Sequence, residues 1–124
     1  MQRGDVRVST SETDCIFCKI AAGELGTPFV AESEHAVAFA DLAPQAPVHV
    51  LIVPKRHVAS VAALTGEDGG LLADLVSLAN RVAQECGIDA TGYRVLTNVG
   101  PDAGQTVFHL HLHVLGGKEL GPLG

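Results

Sequence analysis

The sequence predicts an α+β domain built on an antiparallel sheet, and three observations lead to this prediction. The chain has 124 residues, a length that suits one compact domain. About five segments have the composition of strands, one longer segment has apolar residues at helical spacing, and one short segment near the start is helical. Because the strand segments come in adjacent pairs, the pattern favours an α+β arrangement.

The first half of the chain predicts a short helix and three strands. Residues 1–12 are polar without a hydrophobic period, so we expect a mobile lead-in before a single domain over residues 13–124. The segment TDCIFCKIAAGE predicts a short helix that Thr13 or Asp14 caps and Gly23 ends. PFVAE and HAVAFAD predict two short strands around the turn ESE, and VHVLIVP predicts a third strand that ends at its proline.

The second half predicts one long helix and two further strands. Apolar residues recur at helical spacing between Thr65 and Gly87 and are Leu71, Leu72, Leu75, Leu78, Ala79 and Val82. Thr65 and Asp68 can form a capping pair at the start of this helix, and Gly87 lies just past its end. YRVLTN predicts the fourth strand, VGPDAGQT a glycine-rich turn, and VFHLHLHVL the last strand.

Composition and charge exclude several classes of partner. The formal net charge is −6, which argues against a broad surface for nucleic acid or an anionic membrane, although a small anionic ligand is still compatible with it. No apolar run approaches the ~20 residues of a spanning helix, and the polar start lacks a secretory signal, so we expect a cytoplasmic protein without membrane contact. Three cysteines are too few and odd for a disulfide framework.

Three histidines alternate with leucines near the end of the chain. In a strand, His109, His111 and His113 lie on one face, and the first is about 13 Å from the last. All three cannot bind one tetrahedral metal ion, whose ligands lie ~2 Å from it, so the alternation indicates at least two different roles. A solvent-facing polar stripe is the alternative. Imidazole can serve as acid, base, nucleophile or ligand, and the residues alone leave the type of reaction open.

The glycine-rich turn before these histidines favours phosphoryl chemistry. Its glycines let backbone N–H groups approach an oxyanion, and Gln105 and Thr106 add side-chain donors beside the histidine face. An ordinary hairpin loop is the alternative interpretation of this turn.

Several motifs together resemble one known family. HLHLHVL fits the pattern of the histidine triad (HIT) superfamily, and CIFCKI, AFADLAPQAPVHVLIVPKRH, GYRVLTNVG and DAGQTVFHLHLHVLGG resemble its Hint branch of purine nucleoside phosphoramidases in order and spacing. The resemblance covers the chain from about Asp14 to Gly117. It implies a five-stranded antiparallel sheet with one long and one short helix in each subunit, continued across a homodimer.

The resemblance implies a mechanism that starts at His111. This residue would attack the α-phosphorus of a purine nucleoside phosphoramidate, and water would then hydrolyse the nucleotidyl-histidine intermediate to release a nucleoside monophosphate. His113, His49 and Thr106 would assist catalysis. The groups expected to stabilise phosphoryl charge are Asn98, Gly104, Gln105, Thr106 and a protonated His113.

The resemblance also implies a nucleotide pocket and a metal site. Asp41 would bind the ribose hydroxyls, and the base would meet Ile16, Phe17, Ile20, Phe39 and Leu42, whose apolar character core packing explains equally well. From the residues alone, the CxxC pair is compatible with zinc, a redox pair or chance. Some bacterial members of the superfamily have a similar Cys2His2 set, which implies a structural zinc held by Cys15, Cys18, His57 and His109.

Two rival functions remain at this point. The fragile histidine triad branch, which hydrolyses dinucleoside polyphosphates, shares AGQTV and the triad, but LGG follows the last histidine here instead of a proline-arginine pair. A nucleotide-binding or interaction module without turnover is the alternative outside enzymes. The tail KELGPLG lacks the tryptophan of eukaryotic Hint proteins, so the preference for the leaving amine is open.

Overall fold

The computed structural model describes residues 14–123 and confirms the predicted α+β architecture. Its elements are α1 (Ile16–Ala21), β1 (Ala31–Glu32), β2 (Ala36–Ala40), β3 (Val48–Pro54), α2 (Gly69–Glu85), β4 (Tyr93–Leu96) and β5 (Leu112–Gly116). Single 3-10 turns cover Val61–Ala63, Gly66–Asp68 and Pro101–Ala103. The expected lead-in over residues 1–12, the candidate cap Thr13 and Gly124 lie outside the described residues.

The five strands form one antiparallel sheet in the order β1-β2-β3-β5-β4. Strand β3 is central and pairs with β2 on one side and β5 on the other, so His49 lies across from Leu115 and Leu51 across from His113. Strand β4 forms one edge of the sheet. The central pairing therefore brings the second half of the chain against the first.

Helix α2 covers one face of the sheet with the apolar side that its sequence predicts. Leu75, Leu78, Ala79 and Val82 are buried, and they pack with Val50, Ile52, Leu112 and Val114 from the strands. The predicted pairing of Thr65 and Asp68 is confirmed as a capping box, in which the Thr65 N–H donates to Asp68 Oδ2 over 2.8 Å. This box closes the 3-10 turn that leads directly into α2.

Helix α1 lies on the opposite face of the sheet. Phe17 and Ile20 are buried there against the strand residues Val37, Phe39, Leu51 and Val53. The N-cap is Cys15, whose Sγ accepts the N–H of Cys18, and not one of the two predicted caps, Thr13 or Asp14. Gly23 follows the helix with a φ of 80°, a conformation that glycine adopts without strain, which confirms the predicted stop.

Strand β5 begins five residues later than predicted, at Leu112 instead of Val107. The cause is its neighbour β3, which ends at Pro54 and offers no N–H there to extend the ladder. The preceding backbone finds other partners: the Leu110 N–H donates to the Val58 carbonyl, and the His111 carbonyl accepts from Thr97 Oγ1. His109 and His111 therefore lie in a bent segment before the strand.

Candidate functional site

Four histidines gather on the α1 face of the sheet. His113 is in β5, His49 is in the adjacent β3, and His111 lies just before β5. The ring centres of His111 and His113 are 5.0 Å apart, and those of His49 and His113 are 5.1 Å apart. His109 belongs to the same face, since Phe17 packs edge-on against both His109 and His111. The bent segment thus keeps the common face that the alternation predicts.

The proton on His111 is fixed by the backbone. Its Nδ1 lies 2.7 Å from the carbonyl oxygen of His109, so Nδ1–H donates and the lone pair is on Nε2. Burial lowers the pKa of His111, and therefore the ring is neutral near pH 7. A neutral imidazole with an orientated lone pair is the form that acts as a nucleophile.

A chain of hydrogen bonds fixes His49 and His113 in turn. The backbone N–H of Gln45 donates to His49 Nδ1 over 3.0 Å, which leaves the proton on His49 Nε2. That Nε2–H donates to His113 Nδ1 over 2.9 Å, so the proton of His113 is on its own Nε2. Among the described residues, His113 Nε2 is buried without a hydrogen-bond partner. It is a donor that a ligand can use.

His113 is neutral in the unliganded protein. Burial, followed by the neighbouring rings of His111 and His49, lowers the pKa of His113 to about 4. The expectation of a protonated His113 is therefore wrong for this state, because the desolvated ring does not hold a second proton near pH 7. In this neutral form the ring can offer a directed Nε2–H to a ligand.

Asp41 follows β2 and joins this chain from the side. Its Oδ1 accepts the N–H of Ala43 over 2.8 Å, and its Oδ2 is 3.4 Å from His49 Nε2. Asp41, His49 and His113 are close enough together to surround a metal ion. Metal binding at His49 Nε2 would require its proton to move to Nδ1, which already accepts the N–H of Gln45. These three side chains therefore suit a chain of hydrogen bonds better than a metal site.

These side chains border a pocket of about 270 Å³. Its apolar lining consists of Ile16, Phe17, Ile20, Phe39, Ala40, Leu42, Leu51 and Val107, and its polar lining of Thr27, Asp41, Gly104, Thr106, His111 and His113. Leu42 is 100% exposed, so an apolar side chain at the rim is open to solvent. A larger open depression of about 610 Å³ lies elsewhere, between charged groups such as Lys55 and Glu67, and none of the clustered histidines lines it.

Two predicted phosphate contacts lie outside this lining. Gln105 is buried, and its carboxamide accepts the N–H of Gly100 and donates to the carbonyls of Ala59 and Val107, over 2.8, 2.8 and 3.1 Å. It therefore holds the glycine-rich turn in place instead of facing the pocket, a correction to its predicted role. Asn98 is half-buried and is absent from the pocket lining.

The structure adds pocket residues that the sequence did not single out. Leu51 lies across from His113 in the strand pairing, so both side chains are on the same face of the sheet. Leu51 could have been predicted as a pocket residue once this pairing was known. Val107 follows Thr106 directly, but nothing in the composition around Thr27 marks it as a pocket residue. His49 reaches the pocket through His113, since it does not itself line the cavity.

The second cluster combines both cysteines of the CxxC motif with two histidines. Cys15 Sγ is 3.3 Å from His109 Nδ1, and Cys18 Sγ is 3.3 Å from His57 Nδ1 and 3.5 Å from His109 Nδ1. All four ligand atoms lie within 4.8 Å of one another. The three cysteines of the chain form no disulfide. The four side chains predicted as ligands are therefore brought together and can hold a metal ion.

The chemistry of the donors fits a tetrahedral ion. Bonds of ~2.3 Å to sulfur and ~2.0 Å to nitrogen place S and N about 3.5 Å apart across a tetrahedron, close to the contacts above. His109 Nε2 donates to the Pro54 carbonyl over 2.8 Å, so its Nδ1 lone pair faces the sulfurs. Burial lowers the pKa of His109 to about 4, which keeps the ring in the neutral form that a metal requires.

The fold and the paired histidine clusters define a histidine triad domain, and comparison with known proteins gives the same result. The HIT domain family profile matches residues 22–120, and the chain belongs to this family. A purine nucleoside phosphoramidase from Escherichia coli is 36% identical over 110 residues, covering 89% of this chain and 92% of the relative. An uncharacterised HIT-like protein from Synechocystis is 47% identical over 105 residues, covering 85% and 91%.

Solved structures agree with this assignment. A HIT family hydrolase from Clostridium thermocellum is 48% identical with a TM-score of 0.85, covering 89% of this chain and 96% of its own. A histidine triad protein from Clostridium difficile is 43% identical with a TM-score of 0.87, covering 93% and 100%. Within residues 14–123, no helix has the length and apolar character needed to cross a membrane.

Proposed function

We propose that this HIT protein is a hydrolase that cleaves the P–N bond of purine nucleoside phosphoramidates. The observation that carries the proposal is the hydrogen bond from His111 Nδ1 to the His109 carbonyl, since it directs the nucleophilic Nε2 lone pair of a neutral ring at the pocket. The similarity to a protein named purine nucleoside phosphoramidase supports the choice of substrate class.

The proposed reaction has two displacements at phosphorus. His111 Nε2 attacks the α-phosphorus, the P–N bond of the substrate breaks, and the amine leaves with a proton taken from solvent. Water then attacks the same phosphorus, gives up a proton to solvent, breaks the bond to His111, and releases the nucleoside monophosphate and the neutral ring. The Nε2–H of His113 has no partner within residues 14–123 and lies beside His111, so it donates to a phosphoryl oxygen as negative charge develops. Thr106 supplies a further donor from the turn, where the Gly104 N–H is already bound to the Pro101 carbonyl over 3.0 Å.

The rest of the pocket accommodates the nucleoside. Asp41 Oδ2 lies 3.4 Å from His49 Nε2, a long contact that lets it accept hydrogen bonds from the ribose hydroxyls. The base lies against the apolar lining, where Ile16 and Leu42 are 49% and 100% exposed without a ligand. Covering these two side chains adds favourable apolar burial to binding. A volume of about 270 Å³ suits one nucleotide better than a dinucleotide polyphosphate.

We further propose that the metal of the Cys2His2 cluster is zinc. Two thiolates and two imidazoles are a ligand set that zinc prefers, and four protein ligands leave no open position for substrate. The role of the ion is then structural. Metal-binding thiolates also suit a reducing compartment, which supports the proposed cytoplasmic location.

A homodimer is proposed through the exposed edge of the sheet. Strand β4 has no neighbour on its outer side among the described residues, and Val95 on this strand is 41% exposed. Helix α2 reaches this edge where Tyr93 Oη of β4 donates to Asn80 Oδ1, and Val76 and Leu72, about one and two turns earlier on that side of the helix, are 42% and 38% exposed. Pairing of β4 with β4 of a second copy would satisfy the unpaired backbone groups and bury these side chains.

The decisive experiment measures turnover and a covalent adduct together. Purified protein is mixed with adenosine 5′-phosphoramidate, quenched during turnover and analysed by intact-mass spectrometry. We expect an adenylyl adduct on the wild type, and neither adduct nor turnover with His111→Ala. The matched control is His35→Ala, which removes an exposed histidine far from the pocket and should leave both signals unchanged.

Each alternative outcome is informative. Equal turnover by His111→Ala and wild type would refute the assigned nucleophile. Faster turnover of a diadenosine polyphosphate than of the phosphoramidate would assign the protein to dinucleoside polyphosphate hydrolysis. Tight binding of AMP without turnover of either substrate would indicate a nucleotide-binding module.

A further inference from the structure

Helix α1 belongs to the metal cluster and to the nucleotide pocket at once. Cys15 caps the helix and Cys18 lies inside it, and both thiols face the metal cluster. Ile16, Phe17 and Ile20 of the same helix line the pocket. The residues of the two sites therefore interleave along six consecutive positions of the chain, so one cannot shift without the other.

A helix of this length depends on its attachments. It has six residues, whereas isolated helices shorter than about 12 residues are marginal in water. Besides the burial of Phe17 and Ile20, it is attached by the contacts of Cys15 to His109 and of Cys18 to His57, each 3.3 Å between Sγ and Nδ1. A thiol is a weak hydrogen-bond donor, but a thiolate bound to a metal ion is held firmly.

His109 forms a second connection between the two sites. Its ring is part of the metal cluster and is braced by the Pro54 carbonyl, while its own carbonyl accepts the Nδ1–H of His111 over 2.7 Å. The Phe17 ring adds a packing contact, with its centre 5.1 Å from that of His111 and 6.0 Å from that of His109. The residue that orients the nucleophile is therefore itself orientated by the cluster.

We propose that metal bound to the Cys2His2 cluster positions the nucleotide site, beyond any contribution to the stability of the fold. The ion fixes α1 as a wall of the base pocket, and through His109 it fixes the carbonyl that orients His111. Cys15, Cys18, His57 and His109 are thus positioning residues for substrate binding and for the nucleophile. This inference rests on the proposed nucleotide site.

Removal of the metal should weaken the binding of AMP under conditions in which the sheet is still folded. If α1 loosens, the apolar contact of its side chains with the base is lost, which should weaken the binding of AMP about tenfold. Amide hydrogen exchange should rise in residues 15–22, while β3 and the centre of α2 stay protected because neither contributes a ligand to the cluster. The His111 side-chain nitrogens should also show a mixture of tautomers once the carbonyl acceptor becomes mobile.

The experiment compares zinc-loaded protein with protein stripped of metal by a chelator under reducing conditions. Titration calorimetry with AMP gives the dissociation constant, hydrogen exchange gives the local mobility, and nitrogen NMR of the histidines gives the His111 tautomer. Cys18→Ser should reproduce the stripped state. Cys86→Ser is the matched control, since Cys86 lies at the end of α2 and outside the cluster.

The outcomes separate this inference from the proposed function. AMP binding and a single His111 tautomer that are unchanged in folded, metal-free protein would overturn the positioning role and leave the proposed function intact. Failure of the zinc-loaded protein to bind AMP would instead refute the nucleotide site. If removal of the metal unfolds the whole domain, the zinc-loaded protein is compared with protein loaded with Cd²⁺, which forms longer bonds to sulfur. Weaker AMP binding by the cadmium form supports the proposal, and equal AMP binding by the two forms overturns it.

Discussion

Replacing His49 by phenylalanine tests the hydrogen-bond chain that fixes the proton of His113. His49 is buried, and phenylalanine fills a similar volume, so the packing of β3 is kept. The substitution removes the Nε2–H that His113 Nδ1 accepts and the Nδ1 acceptor of the Gln45 N–H. The Gln45 residue is exposed and its N–H can turn to water, whereas the His113 ring is mostly enclosed. The substitution therefore leaves mainly the His113 ring without a hydrogen-bond partner.

The size of the effect follows from that loss. A buried polar atom left without a partner costs about 1–3 kcal/mol, so the free energy of unfolding should fall by about that amount. Without a donor at Nδ1, the proton of His113 is no longer fixed on Nε2, and its directed contact with the phosphoryl group is weakened. A loss of about 1.4–2.8 kcal/mol of transition-state stabilisation lowers kcat/KM by about 10- to 100-fold.

The assay combines kinetics with stability. Turnover of adenosine 5′-phosphoramidate gives kcat/KM, urea denaturation gives the free energy of unfolding, and nitrogen NMR gives the tautomer of His113. His49→Gln is the matched variant, because its carboxamide can accept from Gln45 and donate to His113, and it should recover most of the activity. A folded His49→Phe protein with kcat/KM within twofold of wild type would refute the reasoning, as would equal losses in both variants.

Further predictions concern the turn, the pH dependence and the sheet edge. Gln105→Leu removes the side-chain partner of three backbone groups and should lower the free energy of unfolding, measured by urea denaturation, by about 2–4 kcal/mol. The same substitution at the exposed Gln84 should change it little, and equal effects of the two would contradict the role of Gln105 in holding the turn. Because the pKa of His113 is about 4, the nitrogen NMR signals of this ring should show no titration step near pH 6.5, and a midpoint there would contradict the burial argument. The unfolded ring binds its proton near pH 6.5 and the folded ring near pH 4, so this residue's contribution to stability is lost as pH falls through that interval. Val95→Glu should convert a dimer to a monomer in size-exclusion chromatography with light scattering, whereas Thr91→Glu should not; a monomeric wild type would refute the edge pairing.

Residue spacing predicted the elements of the fold because it reflects local geometry. The apolar period ending at Val82 identified α2, and the alternation from His109 to His113 identified a common face. The order of the strands was not accessible, since the pairing of Leu51 with His113 joins residues far apart in the chain. The late start of β5 depends on that same pairing, through the proline that ends β3.

Candidate site residues were predicted by type better than by role. The metal cluster required only the correct thiols and imidazoles, and all four meet in the structure. Gln105 was assigned to the phosphate because a carboxamide is a good donor, but its partners are backbone groups that only the folded turn reveals. The charge of His113 was likewise misjudged, since burial of a ring cannot be inferred from its neighbours in sequence.

The three alternate histidines differ in which ring nitrogen carries the proton. It is Nε2 in His109, Nδ1 in His111 and Nε2 in His113, set by the Pro54 carbonyl, the His109 carbonyl and the His49 ring. The basic nitrogens of the outer two rings face the cysteines and His49, away from the pocket. Of these three rings, His111 alone therefore offers a basic nitrogen, Nε2, to an electrophile that enters the pocket. Although the sequence repeats histidine three times, the pocket has the reactivity of one imidazole.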